Sequence, residues 1–290
     1  MSNNLNKAKK KSFLDEAVKF SLLSILLGLL VGAIVLMISG RSPIVVYGAM
    51  IEGIIGKPKY IAWTIIKATP YILTGLSIAF AFKTGLFNIG AEGQFIVGAL
   101  VATLVGVGVD LPAIIHIPLT ILCAAVAGGL WGSIAGFLKS KFGINEVIVC
   151  IMLNWIAFYF SNFMVSNSFI SVANSESSVA INDSASIGIS WMKGLVGPAT
   201  SVNWGIVISI ILVFVVWFIL NKTTLGFELK AVGHNKDAAE YAGIDVSKSM
   251  LKSMAMAGIL AGIAGAIQVM GVTHNITVLA AQEGYGFDGI

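Results

Sequence analysis

The residues with the clearest chemical potential lie between positions 83 and 98, where polar side chains interrupt two long apolar runs. They are Asn88, Glu92 and Gln94, separated by the glycines Gly85, Gly90, Gly93 and Gly98. A carboxylate at membrane depth costs about 3 kcal/mol even on lenient scales, so it usually faces a cavity or a partner. The glycines would permit a broken helix whose free amide groups are open to a polar ligand. Composition leaves two interpretations open: a polar pathway, or an ordinary turn with Glu92 at the membrane interface.

A second ionisable side chain, Lys67, lies within another apolar run, shortly before Pro70. A lysine in this position can extend its ammonium group to the interface, pair with a carboxylate or contact a substrate. The pattern favours structural pairing, and Lys67 is kept as a candidate for the pathway. Pro70 predicts a helix kink, because proline lacks the backbone N–H that the helix would use there.

The overall composition defines the elements that must position these residues. The chain has 290 residues, of which 57% are hydrophobic and 11% are charged, and its mean hydropathy is +0.92. A soluble domain carries about a quarter charged residues. A single soluble domain, a disordered chain and a disulfide-rich secreted module are therefore excluded. We predict an all-α polytopic membrane protein with about seven or more transmembrane helices and a broken or re-entrant segment near 83–98.

Seven apolar runs are long enough to cross a hydrocarbon core, which needs about 20 helical residues. They cover approximately 20–38, 61–82, 87–109, 117–138, 147–165, 203–220 and 250–271. Helices are favoured over strands because the runs are long and continuous, whereas a barrel strand has about ten residues of alternating polarity. Residues 20–290 are accordingly predicted to form a single transmembrane domain.

The basic residues predict an orientation. With the N-terminus in the cytoplasm, thirteen of the 18 basic residues lie on the cytoplasmic side: Lys7, Lys9, Lys10, Lys11, Lys19, Lys83, Lys139, Lys141, Lys222, Lys230, Lys236, Lys248 and Lys252. This asymmetry follows the positive-inside rule and predicts a cytoplasmic tail at 1–19. Membrane lipid is thus an expected partner, and the net charge of +4 needs no nucleic acid to explain it.

Two long loops join the predicted spans. The outer loop, 166–202, has nine serines and three asparagines between Ser166 and Ser190, and it is either a simple linker or a docking surface for an external partner. The cytoplasmic loop, 221–249, contains a short helix that Asn235 would cap at its N-terminus and Gly243 at its C-terminus. Such a helix is marginal in water on its own. We therefore expect its small face of Ala238, Ala239 and Ala242 to dock into a groove on another protein.

Glycines recur every four residues in two of the spans, as in Gly128, Gly132 and Gly136 and again in Gly258 and Gly262. This spacing lets helix backbones approach closely in lipid. It predicts helix packing, with a sliding contact as the alternative. The last residues, 272–290, end in a polar, glycine-rich run without completing another crossing. They form either a re-entrant segment or part of a longer natural chain, and the pattern favours truncation.

Enzymatic chemistry finds no support in the sequence. His116, His234 and His274 lie in three different predicted loops without metal-ligand spacing, and each is interpreted as interfacial or solvated. Cys123 and Cys150 lie in apolar runs and are interpreted as buried small side chains. The chain has no Gly-x-x-x-x-Gly-Lys-Ser/Thr motif, so it cannot cradle ATP phosphates in a P-loop. No metal, no cofactor and no catalytic residue is predicted, and a stand-alone secondary transporter or channel remains the alternative from another class.

Two motifs carry a family resemblance. The stretch Gly85-Leu86-Phe87-Asn88-Ile89-Gly90-Ala91-Glu92-Gly93-Gln94 closely resembles a signature of membrane permease subunits of ABC importers. The stretch from Ala231-Val232-Gly233-His234-Asn235 to Ala238-Ala239-Glu240-Tyr241-Ala242-Gly243-Ile244 is similar to the cytoplasmic coupling loop of the same family. These similar proteins form the nucleoside and simple-sugar branch of the ribose/branched-chain amino acid permeases.

The resemblance implies a mechanism and a set of partners. Two permease subunits, the second expected to be a paralogue, would form the pathway in a bacterial cytoplasmic membrane. A cytoplasmic ATPase subunit would use the ATP, and an extracytoplasmic binding protein would deliver a nucleoside or, alternatively, a simple sugar such as ribose. By resemblance, Asn88, Glu92 and Gln94 lie near the translocation path. The coupling residues implied are Gly233, His234, Asn235, Ala238, Ala239, Tyr241 and Gly243.

Overall fold

A computed structural model describes the backbone of residues 2–197 and 200–290, and the side chains of residues 18–290 except 193, 195, 198 and 199. The tail lysines Lys7, Lys9, Lys10 and Lys11 therefore lie outside the described side chains. The described chain is helical, with three isolated β-bridges and no longer strand. Its helices are α1 Ser2–Ile38, α2 Pro43–Ile55, α3 Pro58–Phe82, α4 Ala91–Gly108, α5 Ala113–Phe142, α6 Glu146–Asn167, α7 Lys193–Val196, α8 Gly205–Lys222, α9 Thr224–His234, α10 Lys236–Tyr241 and α11 Val246–Gln268.

Seven of the described helices are long and apolar enough to cross a membrane, namely α1 from Val18 onwards, α3, α4, α5, α6, α8 and α11 with the turn that follows it. The predicted spans are confirmed to within a few residues. Helix α2 was not predicted, because its 13 residues are too few for the length that a span requires. It folds back on α1, where the Tyr47 hydroxyl donates a hydrogen bond to the carbonyl of Leu29 at 2.6 Å.

The chain divides into two compact units, Met1–Ile61 and Ala62–Ile290. The first contains α1 and α2, whose described side chains are exposed or half-buried. The second contains the buried core and every candidate site residue.

Helices α4, α5 and α11 form the core of the second unit, and glycines set their spacing. A Cβ atom on Gly98 would collide with the backbone of Gly262, and one on Gly128 would collide with the carbonyl of Gly258. Backbone therefore contacts backbone where the three helices meet, which gives close van der Waals packing in place of a hydrophobic driving force. The predicted helix packing is confirmed.

Residues 166–204 fold against the end of α11. We call them the outer segment, because they include the predicted outer loop 166–202. The amides of Ser178, Ile181 and Ile187 donate to the carbonyls of Ile276, His274 and Met270, at 2.8, 2.8 and 3.0 Å. Its buried apolar side chains are those of Ile170, Ile181, Ala185, Ile187 and Ile189, whereas Phe169 and Trp191 are exposed. These contacts fix the segment to the packed core of the second unit.

Residues 274–290 return along the bundle from the C-terminal end of α11. The carbonyl and amide of Leu279 bond the side chain of Asn162 on α6, at 2.9 and 3.1 Å. Further along, the carbonyl of Tyr285 accepts a hydrogen bond from Thr74 on α3 at 2.9 Å. Non-helical backbone of this kind is tolerated at membrane depth only where protein buries it or it lines a cavity. Residues 274–290, which run back along the bundle, are called the re-entrant segment.

Candidate functional site: a buried polar break in the core

The polar break predicted near 83–98 is a non-helical turn between α3 and α4. Gly85 adopts a left-handed conformation with φ of +72°, which a residue with a side chain adopts only at a cost. The turn is buried at Leu86 and Asn88. The Thr84 hydroxyl donates to Ser253 on α11 at 2.8 Å, so the turn is fixed to the first turns of α11.

Asn88 and Gln94 lock this turn through their side chains. Each amide donates to the oxygen of the other, at 2.9 and 3.0 Å, and Asn88 also donates to the Ser77 hydroxyl at 3.0 Å. Both residues are buried. A polar group buried with its partners in place rigidifies the backbone that carries it, so this pair holds the start of α4 against α3.

Asn154 on α6 completes the turn and was missed by the sequence analysis. Its side-chain oxygen accepts from the Gly93 amide at 2.8 Å, and its amide donates to the Ile89 carbonyl at 3.0 Å. The available signal was an asparagine near the middle of the apolar run 147–165. Such a side chain in a membrane helix marks a hydrogen-bonding contact to another element.

Glu92 binds the re-entrant segment. Its side chain is fully buried, and its two carboxylate oxygens accept hydrogen bonds from the amides of Gly284 and Gly286, at 2.9 and 2.6 Å. Gly286 lies so close that a Cβ atom there would collide with the backbone of Glu92, and Gly284 has a φ of +87°. We call this arrangement the Glu92 clamp.

Tyr285 lies between Gly284 and Gly286 in the chain, and its side chain contacts several neighbouring side chains. Its hydroxyl accepts from Lys67 at 3.4 Å and from Gln268 at 3.3 Å. Its ring lies 5.0 Å from that of Phe95 and 5.4 Å from that of Tyr71, centroid to centroid. Lys67 thus contacts a phenol, where structural pairing with a carboxylate was favoured.

Glu283 precedes the clamp and lies outside the membrane-spanning helices. Its carboxyl group lies near the charged groups of Glu92 and Lys67. Its side chain still reaches the surface of the chain. It is therefore a carboxyl group available to an approaching molecule, unlike Glu92.

The predicted short cytoplasmic helix is present as α10. The side chain of Asn235 caps it by accepting from the Ala238 amide at 3.0 Å, and Gly243 ends it with a φ of +83°. Tyr241 is 97% exposed, whereas Ala239 is buried within this chain. The predicted face of three alanines is therefore divided. Ala238 and Ala242 are exposed, whereas Ala239 packs against this chain itself.

Helix α9 leads into α10 and touches the polar break. A Cβ atom on Gly233 would collide with the carbonyl of Lys83, so glycine at this position serves packing inside the chain. His234 ends α9 and is exposed, as interpreted from the sequence. The candidate pathway residues therefore lie together around the break, and the candidate coupling residues lie beyond them on α9 and α10.

His116 differs from the prediction. It is fully buried, and its ring nitrogens lie 2.8 Å from the Ser184 hydroxyl and 3.2 Å from the Val105 carbonyl. The interpretation as an interfacial or solvated histidine is wrong, because the folded outer segment covers it. Among the described residues, no cluster of histidine, cysteine or acidic side chains could hold a metal ion.

The fold and its site define a class of protein: a multi-pass, all-α membrane protein whose core contains a buried polar break. The family described as branched-chain amino acid transport system / permease component matches residues 60–290, and the chain belongs to this family. The resemblance carried by the two motifs is thereby confirmed. The chain is a permease component of an ABC transporter.

Three curated relatives are similar over most of the chain. The guanosine ABC transporter permease protein NupP of Bacillus subtilis is 44% identical over 93% of this chain and 76% of its own length. The nucleoside ABC transporter permease protein NupB of Lactococcus lactis is 38% identical over 93% of this chain and 75% of its own length. The glucose ABC transporter permease protein TsgB13 of Haloferax volcanii is 32% identical over 92% of this chain and 72% of its own length. No solved structure matches the chain.

Proposed function

We propose that this chain forms part of the translocation pathway of an ATP-driven importer for nucleosides. The observation that carries the proposal is the identity of 44% and 38% to two nucleoside permeases, each over 93% of the chain. A simple sugar is the second candidate, because a glucose permease is 32% identical over a similar length. The higher identities favour the nucleoside.

The proposed importer needs further subunits. The chain lacks a P-loop motif, so ATP would be bound and hydrolysed by a separate ATPase subunit and no cofactor would be held here. A second permease subunit, which we expect to be a paralogue, would supply the other half of the pathway. An extracytoplasmic binding protein would deliver the nucleoside, and the folded outer segment 166–204 offers it a structured surface.

Helix α10 is the proposed contact with the ATPase. It is a capped helix of six residues whose Tyr241 is almost wholly exposed, and aromatic side chains are enriched among the residues that dominate interface energies. His234 and Asn235 flank it. Ala239 and Gly233 support it from inside the chain. Closure of the ATPase on ATP would displace α10 and shift the permease between two access states.

The proposed orientation places the N-terminus and α10 in the cytoplasm of a bacterial cell, on the inner face of its cytoplasmic membrane. Contacts between helix ends support one common side of the bundle for the loops predicted to be cytoplasmic. Lys83 at the end of α3 packs against Gly233, and Thr84 bonds Ser253 near the start of α11. Lys139 at the end of α5 pairs with Glu146 at the start of α6 at 2.9 Å. The basic residues of these loops fit the positive-inside rule.

The polar break is proposed to shape the pathway wall instead of contacting the substrate directly. Asn88, Glu92 and Gln94 are buried, and each is hydrogen-bonded within the chain. Lys67 is engaged with Tyr285. A stand-alone transporter coupled to ions would need intramembrane charges free to exchange protons or ions, and the engagement of Glu92 and Lys67 argues against that alternative.

The test is purification of the protein from its own membrane followed by transport in proteoliposomes. A P-loop ATPase and a second permease should co-purify, and the complex with its binding protein should accumulate radiolabelled guanosine only when ATP is present. Uptake driven by an ion gradient without an ATPase would contradict the proposal. ATP-driven uptake of glucose or ribose with no uptake of nucleosides would replace the substrate class while keeping the importer.

A further inference from the structure

A polar cavity lies where the outer segment packs against the end of α11. Its volume is about 570 Å³, and sites for small molecules have volumes of roughly 300–1,000 Å³. The described residues that line it belong neither to the polar break nor to the Glu92 clamp. They are rich in hydroxyl groups and include Asp183, Ser186, Ser190, Ser201, Gly271 and His274.

The sequence of the outer segment explains why the cavity is polar. Residues 186–190 read Ser-Ile-Gly-Ile-Ser, and successive side chains of an extended chain point to opposite sides. Ile187 and Ile189 are buried in the core. The alternate residues Ser186 and Ser190 line the cavity, so one short stretch of chain closes the core and supplies hydroxyl groups on its other side.

Backbone hydrogen bonds hold this wall in place. The Ile189 amide donates to the Val202 carbonyl at 2.8 Å, and the Trp204 amide donates to the Ile187 carbonyl at 3.1 Å. This pairing joins the two stretches of the outer segment that supply lining residues, 183–190 and 201–202.

The end of α11 supplies the remaining wall. The helix continues after Gln268 as a π-helical turn over Val269–Thr273 and ends at His274, which lines the cavity and has a left-handed φ of +58°. This conformation is uncommon for a residue with a side chain. The His274 carbonyl accepts from the Ile181 amide at 2.8 Å, which holds the turn against the outer segment. π-helical turns and residues held in such conformations occur frequently at functional sites.

The lining groups define a ligand chemistry. Asp183 is exposed, and its ionised carboxylate offers two acceptor oxygens, which two adjacent hydroxyl groups of a sugar can use together. Each serine hydroxyl can both donate and accept. The described lining has no phenylalanine, tyrosine or tryptophan on which a base could stack. The cavity therefore fits the sugar part of a nucleoside better than its base.

We infer that this cavity is a recognition site for vicinal hydroxyl groups, in which Asp183 accepts hydrogen bonds from the 2′- and 3′-hydroxyls of a nucleoside's ribose. The identity of the ligand rests on the proposed function. In the proposed orientation the cavity lies on the extracytoplasmic side, where the binding protein delivers the nucleoside. Ser186, Ser190 and His274 supply further hydrogen-bonding groups around the sugar.

The test measures how a ligand protects a cysteine in the cavity from a membrane-impermeant maleimide. Ser190→Cys is made in the Cys123→Ala background, because Ser190 is exposed and lines the cavity whereas Cys150 is buried. The intact permease–ATPase complex is labelled in nanodiscs. The binding protein is left out, so that its own selectivity does not contribute.

Three ligands are titrated against the labelling rate. Guanosine should slow the labelling, and guanine, which has the base without the sugar, should not. 2′,3′-Dideoxyguanosine should need a roughly tenfold or higher concentration than guanosine for the same protection, because its hydrogen bonds to a charged group are lost.

Matched variants separate recognition from general effects on the complex. Glu176→Cys lies on the same outer segment but outside the cavity, and guanosine should leave its labelling unchanged. Combined with Ser190→Cys, Asp183→Asn should remove the advantage of guanosine over the dideoxynucleoside. Asp110→Asn, which alters another exposed residue outside the cavity, should retain it.

The ligand comparison in the single variant Ser190→Cys decides the inference even if Asp183→Asn failed to assemble. Equal protection by guanosine and the dideoxynucleoside, protection by guanine, or no protection by guanosine would each overturn it. So would an unchanged advantage of guanosine in Asp183→Asn. Absence of ATP-driven guanosine uptake by the unaltered complex with its binding protein would instead overturn the proposed function.

Discussion

The two carboxylate oxygens of Glu92 accept hydrogen bonds from two backbone amides of the re-entrant segment. These amides belong to Gly284 and Gly286, which lie 192 and 194 residues further along the chain. A hydrogen bond to a charged group contributes roughly 1.5–3 kcal/mol. The cost of burying the carboxylate is offset only while both amides remain in place. The conformation of residues 284–286 therefore depends on one side chain of α4.

At the scale of the single residue, we expect Glu92→Gln to disrupt the Glu92 clamp although the side chain keeps its size. Glutamine replaces one acceptor oxygen with an amino group, which would face the amide of Gly284 or Gly286 donor to donor. The thermal midpoint of the purified complex should fall, with a loss of roughly 2 kcal/mol or more in stability, and guanosine uptake should fall with it. Glu52→Gln, on α2, should change neither. A Glu92→Gln complex with unaltered melting and uptake would show that the clamp is dispensable.

At the scale of the element, the close contact of α4, α5 and α11 depends on the absence of side chains. Gly128→Val would place a branched side chain where the carbonyl of Gly258 now lies. Overpacking of a tight core costs typically 1–3 kcal/mol, so we expect a clear loss of folded, monodisperse protein in size-exclusion chromatography. Gly48→Val is the matched control, because nothing lies within 4 Å of a Cβ atom at Gly48. Equal yields of the two variants would contradict the packing.

Helix α10 allows docking to be separated from folding. Tyr241 is 97% exposed and Ala239 is buried, so an arginine at Ala239 would disturb the chain's own packing whatever its partner does. Tyr241→Ala should instead leave the permease folded and weaken ATPase co-purification and ATP-driven uptake by about tenfold or more, the scale of an interface hot spot.

The control for α10 is Phe227→Ala. Phe227 is another exposed aromatic side chain, 68% accessible, on the neighbouring helix α9. It should retain the ATPase if α10 is the docking element. If the complexes of Tyr241→Ala and Phe227→Ala both behaved like the unaltered protein, the contact would have to lie elsewhere on the cytoplasmic face.

At the scale of the whole molecule, the orientation can be read from two single cysteines. In a background with Cys123→Ala, where Cys150 is buried, a membrane-impermeant maleimide should label Glu176→Cys in intact cells. It should label Tyr241→Cys only after the membrane is permeabilised. The reverse pattern would invert the topology inferred from the basic loops.

The sequence predicted the long helices because composition and length suffice for them, and it predicted α10 because Asn235 and Gly243 are local capping signals. It could not predict α2, whose 13 residues fall below the length of a span. The folding of the outer segment was also hidden, since its hydrogen bonds run to residues 270–276, about 90 residues away in the chain.

The candidate site shows the same division. The type and spacing of Asn88, Glu92 and Gln94 marked the polar break, and the Asn88–Gln94 pair spans only six residues. The partners of Glu92 and the environment of Lys67 depend on how the re-entrant segment returns through the bundle. No local pattern encodes that path, which is why the contacts of Tyr285 could not be predicted.

The seat of Gly233 on the backbone of Lys83 has a mechanical consequence. A displacement of α10 would be transmitted through α9 to the first residues of the polar break, because no side chain separates the backbone of Gly233 from that of Lys83. From there Thr84 hydrogen-bonds Ser253 on α11, and Glu92 lies at the start of α4, directly after the break. In the proposed importer, movement of α10 driven by nucleotide binding would thus reach the re-entrant segment through a short series of direct contacts. The coupling between that movement and substrate release would depend on the glycine at position 233.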